Sequence, residues 1–346
     1  MKSKLTIHDI AARAGVSPST VSRVLNGSKP VAPDKQAAVL HVIDELKYRP
    51  NQAAQGLARG KSNAVGVITQ AITSPFYAEL LYGIERGLHG SRYHPVFTSG
   101  NWNADQGAEA LEVLIDRGVD ALIVLGGRVP AERLLEIARQ MPLVVVGRAI
   151  AGLEPYCLSV NNIQGAYTAT RYLIELGHTR IAHITGDLTH LDAFERKEGY
   201  TRACAEMGIE IDPGLIVEGN FQEQSGLLAM DALLARGALF TAVFVANDQM
   251  AYGAQLALFR RGIRIPEDVS IVGFDDQPGG AYTTPPLTTV RQPTIEMGSA
   301  AAEAVMHLLA GEPVSLPTFS TELVIRESAA RQRWSISANT RVLGTS

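Results

Sequence analysis

Two kinds of hydrophobic pattern run along this chain, and one replaces the other near residue 60. In the first fifty residues the apolar side chains come in small sets at helical spacing: Ile10, Ala14 and Val16, then Val21, Val24 and Leu25, then Val39, Val42, Ile43 and Leu46. This spacing predicts three short helices around one small shared core. The punctuation fits. Thr6 caps the first helix with Asp9 three residues on, Gly15 permits a tight turn, and Ser17 caps a second helix whose first position is Pro18. Pro33 opens the third. From Asn63 onward, near-continuous aliphatic runs at 64–69, 95–98, 121–125, 143–147, 180–185, 242–246 and 270–274 alternate with helical stretches. Such runs predict parallel strands buried on both faces in an α/β layered architecture. A body of roughly 270 residues is large for one open sheet, so two lobes are expected.

Charge divides the chain at the same place. Up to Lys61 there are ten Lys/Arg against four Asp/Glu, a balance of +6; the whole chain is −4, so the remainder carries −10. A basic helical head on an acidic body implies a nucleic-acid module joined to a regulatory or catalytic one. A capped helical hairpin alone could be a mere core element, and the charge excess tips the balance. The head reads as a helix-turn-helix whose second helix exposes Ser19, Thr20, Ser22, Arg23 and Asn26. Short hydrogen-bonding groups plus one long cation suit base edges and phosphates, and Thr6 and Ser17 at the helix starts are expected to contact DNA with them.

The run from Thr6 to Asn26, followed by Tyr48-Arg49-Pro50-Asn51-Gln52-Ala53-Ala54-Gln55-Gly56-Leu57-Ala58, resembles the DNA-binding head and hinge of the LacI/GalR family of bacterial transcription regulators. The similarity extends to about Arg331. It implies an α/β, two-lobed, periplasmic-binding-protein-like core with an N-terminal all-α helix-turn-helix head. The expected organisation is a head over residues 1–50 and a hinge helix and linker over 51–61. An effector-binding and dimerisation core follows over 62–330, with one lobe at about 62–161 and 291–320 and the other at about 162–290 and 321–330. Residues 331–346 form a polar tail. In the hinge Asn51 caps a short helix, Ala54 lets two such helices approach, and Leu57 is the apolar wedge that the resemblance places in a minor groove. Gly56 weakens that helix by about 1 kcal/mol, so it is expected to order only on DNA. Ala32 stands where many relatives carry a capping Ser or Thr, and Gln36 where Arg is frequent.

Ligands of parallel sheets gather beyond the carboxyl ends of the strands. That rule alone nominates Ser74 and Phe76, Asn101 and Trp102, Arg148, Asp192 and Arg196, Phe221, Asn247-Asp248 and Asp275-Asp276. Aromatic rings with carboxylates, amides and arginine suit a polyhydroxylated ligand. The resemblance singles out Arg196, Asn247, Asp275, Phe221 and Phe76 as effector contacts. Asp248 is expected to cap the following helix, and Asp276 to be structural.

No catalytic constellation stands out. Cys157 and Cys204 are far apart, without metal-ligand spacing, and are expected to be reduced and buried. No HExxH, Gly-x-Ser-x-Gly or Gly-x-Gly-x-x-Gly motif occurs, and Gly60-Lys61-Ser62 lacks the earlier glycine of a phosphate-binding loop. No apolar leader or membrane span is evident, so a cytoplasmic protein without cofactor or metal is expected. The combined expectation is a homodimeric repressor on a pseudo-palindromic operator, controlled by a mono- or oligosaccharide. Alternatives are a purine- or nucleoside-responsive co-repressed regulator, one co-activated by a phosphocarrier protein, a transport solute-binding protein, and, last, an enzyme.

Overall fold

The computed structural model describes residues 5–26, 30–48 and 61–332. The chain divides into two units, Met1–Asn63 and Ala64–Ser346. In the first, α1 (Ile7–Ala14), α2 (Pro18–Asn26) and α3 (Pro33–Glu45) surround Ile10, Ala11, Val21, Val39, Val42 and Tyr48. Local chemistry sets the corners. The Asp9 carboxylate accepts from the Thr6 backbone N–H at 2.7 Å and from its hydroxyl at 2.8 Å. Gly15 turns the chain at φ +65°, a conformation that costs a residue with a Cβ. Ser17 Oγ then accepts from the Thr20 N–H at 3.2 Å, capping α2. Ala32 leads into α3 without a side-chain cap, and an Arg13–Glu45 pair at 2.5 Å ties α1 to α3.

A core of this size gives each cap weight. Ser17→Ala should cost about 1 kcal/mol locally, so the amides of α2 should exchange hydrogen roughly five times faster. Unchanged exchange would show that the cap does nothing.

The second unit holds two sheets. The first comprises β1 (Ala64–Thr69), β2 (His94–Ser99), β3 (Ala121–Leu125), β4 (Leu143–Val146) and β5 (Cys157–Leu158), all parallel, in the order β2-β1-β3-β4-β5. The second comprises β6 (Ile181–Thr185), β7 (Ile216–Glu218), β8 (Ala242–Val245), β9 (Ser270–Asp275), β10 (Thr288–Arg291) and β11 (Glu322–Val324). Its order is β11-β10-β9-β8-β6-β7, parallel except for β11. Counted from its own first strand, the second lobe repeats the 2-1-3-4-5 order of the first and adds an antiparallel edge.

The central strands of each sheet are covered on both faces, which is why β1, β3, β4 and β8 are aliphatic; β2, at the edge of the first sheet, is exposed or half-buried, against the expectation of a strand buried on both faces. Helices α4 (Pro75–Leu88) and α11 (Thr294–Ala310) pack on one face of the first sheet, and α5 (Ala104–Asp116) and α6 (Ala131–Ala138) on the other. The second sheet lies between α7 (Asn162–Glu175) with α8 (Leu191–Glu206) and α9 (Glu223–Ala235) with α10 (Asp248–Arg260). Helices α4 and α11 touch backbone to backbone. A Cβ on Gly83 would run into the Ile295 carbonyl, and one on Gly298 into that of Leu80. The chain passes between lobes after β5, where Val160 bridges to Phe319, again from β10 to α11, and finally into β11. Among the described residues no helix is long and apolar enough to cross a membrane.

Candidate ligand cleft and DNA-facing helix

Since both sheets share one strand order, both reverse direction at the same place, between β1 and β3 and between β6 and β8. Loops beyond those carboxyl ends meet across a cleft, the position at which such folds hold ligands. A cavity of about 300 Å³ lies there, walled by Phe76, Tyr77, Trp102, Arg128 and Arg148 on one side and His190, Asp192 and Arg196 on the other. A smaller extension reaches Phe221, Asn247 and Asp275.

Arg196 is built in from every side. It is only 3 % exposed, donates to Asn162 Oδ1 at 3.1 Å and to the Ala246 carbonyl at 2.5 Å, and lies 3.9 Å from the Phe274 ring centre. Its Nη1 is 3.5 Å from Asp275. Its shorter bonds go elsewhere, so this ion pair is loose. Burial therefore outweighs the arginine and raises the Asp275 carboxyl to about 7, although the Arg196 charge and a 2.7 Å bond from Gln292 Nε2 both pull it down.

Aromatic rings close the cleft. Trp102 stacks on Phe221 from the opposite lobe, with centroids 5.6 Å apart and planes 15° from parallel. Tyr77 and His190 meet the same indole edge-on. Burial lowers the His190 pKa, against the pull of Asp192. Two further contacts span the lobes: Ser74 Oγ donates to Gln249 Oε1 at 3.1 Å, and Arg128 pairs with Asp187 at 2.9 Å while also touching Thr189. Among the described residues seven non-glycine positions have positive φ, and five of them (Asn101, Trp102, Phe221, Asp275 and Asp276) sit on these cleft loops. Strained backbone gathers where side chains must be aimed rather than merely packed.

The structure moves several expected contacts. Asn101 is exposed and outside the cavity wall; its amide is spent on Ser99 and Gln106, and its neighbour Trp102 takes the cleft position. Asn247, not Asp248, caps α10, accepting from the Met250 N–H and donating to the Phe221 carbonyl, each at 3.0 Å. Its amide therefore orients the Phe221 loop. Asp248 is buried and accepts from Thr289 and from the Gln277 N–H. Asp276 joins Arg291 and Arg326 at 2.7 and 2.6 Å. Cys157 is half-buried, while Cys204 is buried; both are free thiols. Arg128, His190 and Gln292 were not anticipated. For Arg128 the signal was present, because it follows β3 by the same strand-end rule.

In the head, Ser19 and Arg23 are exposed, and Thr20 and Ser22 are half-buried. The Ser17 hydroxyl lies 2.8 Å from that of Ser19 and 2.9 Å from that of Thr20. The Asn26 side chain and Asn51, Ala54 and Leu57 fall outside the described residues.

Residues 6–51 match the model for bacterial regulatory proteins of the lacI family, and residues 170–329 that for a periplasmic binding protein-like domain. The HTH-type transcriptional regulator GalR of Escherichia coli K12 is 37 % identical over 328 residues, covering 94 % of this chain and 96 % of its own. The chain belongs to the lacI family. A second member, the ribose operon repressor of Haemophilus influenzae, is 34 % identical over 93 % of this chain and 98 % of its own. Among solved structures of the family, the lac repressor dimer bound to operator and the anti-inducer ONPF superposes with a TM-score of 0.84 at 27 % identity. That match covers 94 % of this chain and 99 % of the repressor.

Proposed function

We propose that this family member is a sequence-specific transcriptional repressor whose grip on operator DNA is set by a small sugar in the inter-lobe cleft. The carrying observation is the cleft wall. Trp102 and Phe76 offer aromatic surface to a sugar ring, while Asp192, Arg196 and Gln292 offer polar partners to its hydroxyls. The lac repressor relative, described as a dimer on operator with a bound anti-inducer, supports a homodimer reading a pseudo-palindrome. A protein of this kind works in the cytoplasm and performs no catalysis. The sugar acts by favouring one arrangement of the lobes over another, and only its differential affinity for the two can shift DNA binding.

A thermal-shift screen against sugars, nucleobases and nucleosides tests this. A ligand at 100 times its Kd adds about 2.7 kcal/mol. A sugar that both raises the melting temperature and changes operator affinity supports the reading. A purine hit with no sugar hit replaces it by a nucleobase-responsive regulator. On the DNA side, Arg23→Ala should weaken operator binding and lower the salt slope by about one, leaving ligand affinity unchanged. An unaltered slope would remove Arg23 from the phosphate contacts.

A further inference from the structure

We infer that the effector is an acidic sugar, a sugar acid or a sugar phosphate, whose anionic group sits between Arg128 and Arg148. This rests on the sugar reading above and narrows it. Three arginines line the cavity, and their counter-charges differ. Arg196 faces Asp275 and Arg128 faces Asp187. Among the described residues no carboxylate pairs with Arg148, and the ionisable group that bears on it is the Cys157 thiol. Its two terminal nitrogens donate to the Gly127 and Val129 carbonyls, on either side of Arg128. Those bonds place the Arg148 guanidinium against the loop that carries a second guanidinium.

What remains undischarged points to a ligand. The Nε atoms of Arg128 and Arg148 are sealed in the wall without a hydrogen-bond partner, and both residues line the cavity, so a ligand would meet the remaining N–H groups of their terminal nitrogens. A neutral hydroxyl would accept from such donors singly but leave the Arg148 charge uncompensated in a partly desolvated place. A carboxylate or phosphate satisfies donors and charge together, through shorter and stronger charge-assisted bonds. On the other wall Asp192 and His190 keep the hydroxyl-bearing end of the ligand. The cavity, about 300 Å³, is at the small end for ligand sites. One ring with its acidic group fits that scale, and an oligosaccharide does not.

The test is calorimetric titration of the full-length protein with matched sets: glucose, galactose and ribose, each beside its aldonate and its terminal phosphate, with glucuronate and galacturonate added. At least one acid should bind about 100-fold more tightly than its neutral parent, and whether it is a carboxylate or a phosphate identifies the source. In Arg148→Gln the ratio of acid to neutral affinity should fall at least tenfold, with folding checked by circular dichroism. Should that variant not fold, Arg128→Gln provides the same ratio. Neutral sugars binding as well as their acids would overturn the inference while leaving the sugar reading standing. An acid preference untouched by both substitutions would also overturn it. Silence from every sugar, acidic or neutral, removes the sugar reading and this inference together.

Discussion

Arg196→Ala is expected to destabilise the ligand-binding unit by about 3–5 kcal/mol, the range for removing one partner of a buried charge pair. Two effects add. The guanidinium's bonds to Asn162 and the Ala246 carbonyl vanish with its stacking on Phe274, and the Asp275 carboxyl, already raised to about 7, must take up a proton to stay in the interior without its cation. The second effect is separable. Asp275→Asn in the Arg196→Ala background removes that protonation cost and should recover part of the loss. A double-mutant cycle in urea at pH 7.5 would measure that coupling. A single variant within 1 kcal/mol of the parent would show that Arg196 is held for the ligand alone and does not brace the fold.

The next largest effect belongs to a residue far from any ligand. His183 in β6 is fully buried, with ring centroids 4.8 Å from both Tyr200 and Phe244. Its Nδ1 bonds the Phe244 carbonyl at 2.9 Å, and its Nε2 is buried without a partner. Burial lowers its pKa from 6.5 to about 4, aided by the Lys197 charge and opposed by the carbonyl bond. In the unfolded chain the imidazole takes up a proton near 6.5; in the folded chain it resists until about 4. Its contribution is therefore present above pH 6.5 and is lost as the pH falls towards 4. At about 1.36 kcal/mol per pH unit the loss reaches roughly 3 kcal/mol. Asp275 works in the opposite sense, since its folded pKa is raised: its contribution is present below 3.8 and is lost as the pH rises towards 7. The two slopes oppose each other between pH 4 and 6.5, so the parent curve alone hides both. His183→Phe should abolish one of them. The free-energy difference between variant and parent should move by about 3 kcal/mol in the variant's favour from pH 7 to pH 4.5. A difference that stays constant would mean that water or a structural shift protonates His183 in place.

Such pairs explain which parts of this molecule can be read from its sequence. The long aliphatic runs of β1, β3, β8 and β9 announce themselves because both faces are buried. Cys157–Leu158 has only two residues, and the polar start of β10, Thr288-Thr289, is buried by hydrogen bonds to Ser328 and Asp248 rather than by apolar contact. No periodicity reveals strands like these. Arg196 and Asp275 can be nominated from their places after strands. Their second role as mutual supports depends on Asn162, Ala246 and Gln292, which are distant in sequence. Asn101 and Trp102 show the limit most plainly. Both residues follow β2, and only the left-handed backbone at the pair decides which side chain enters the cleft. Composition carries no signal for that choice.

The place of α11 in the chain has a consequence for how the protein is made. It completes the first lobe but begins only at Thr294, after nearly the whole second lobe, while its partner α4 ends at Leu88. During synthesis the apolar face of α4, with Leu80, Leu81, Ile84 and Leu88, emerges about two hundred residues before the helix that covers it. At bacterial elongation rates that interval is on the order of 10 to 40 seconds. The lobe translated first thus stays open until most of the second has been made, and a nascent chain waits with the apolar face of α4 bare.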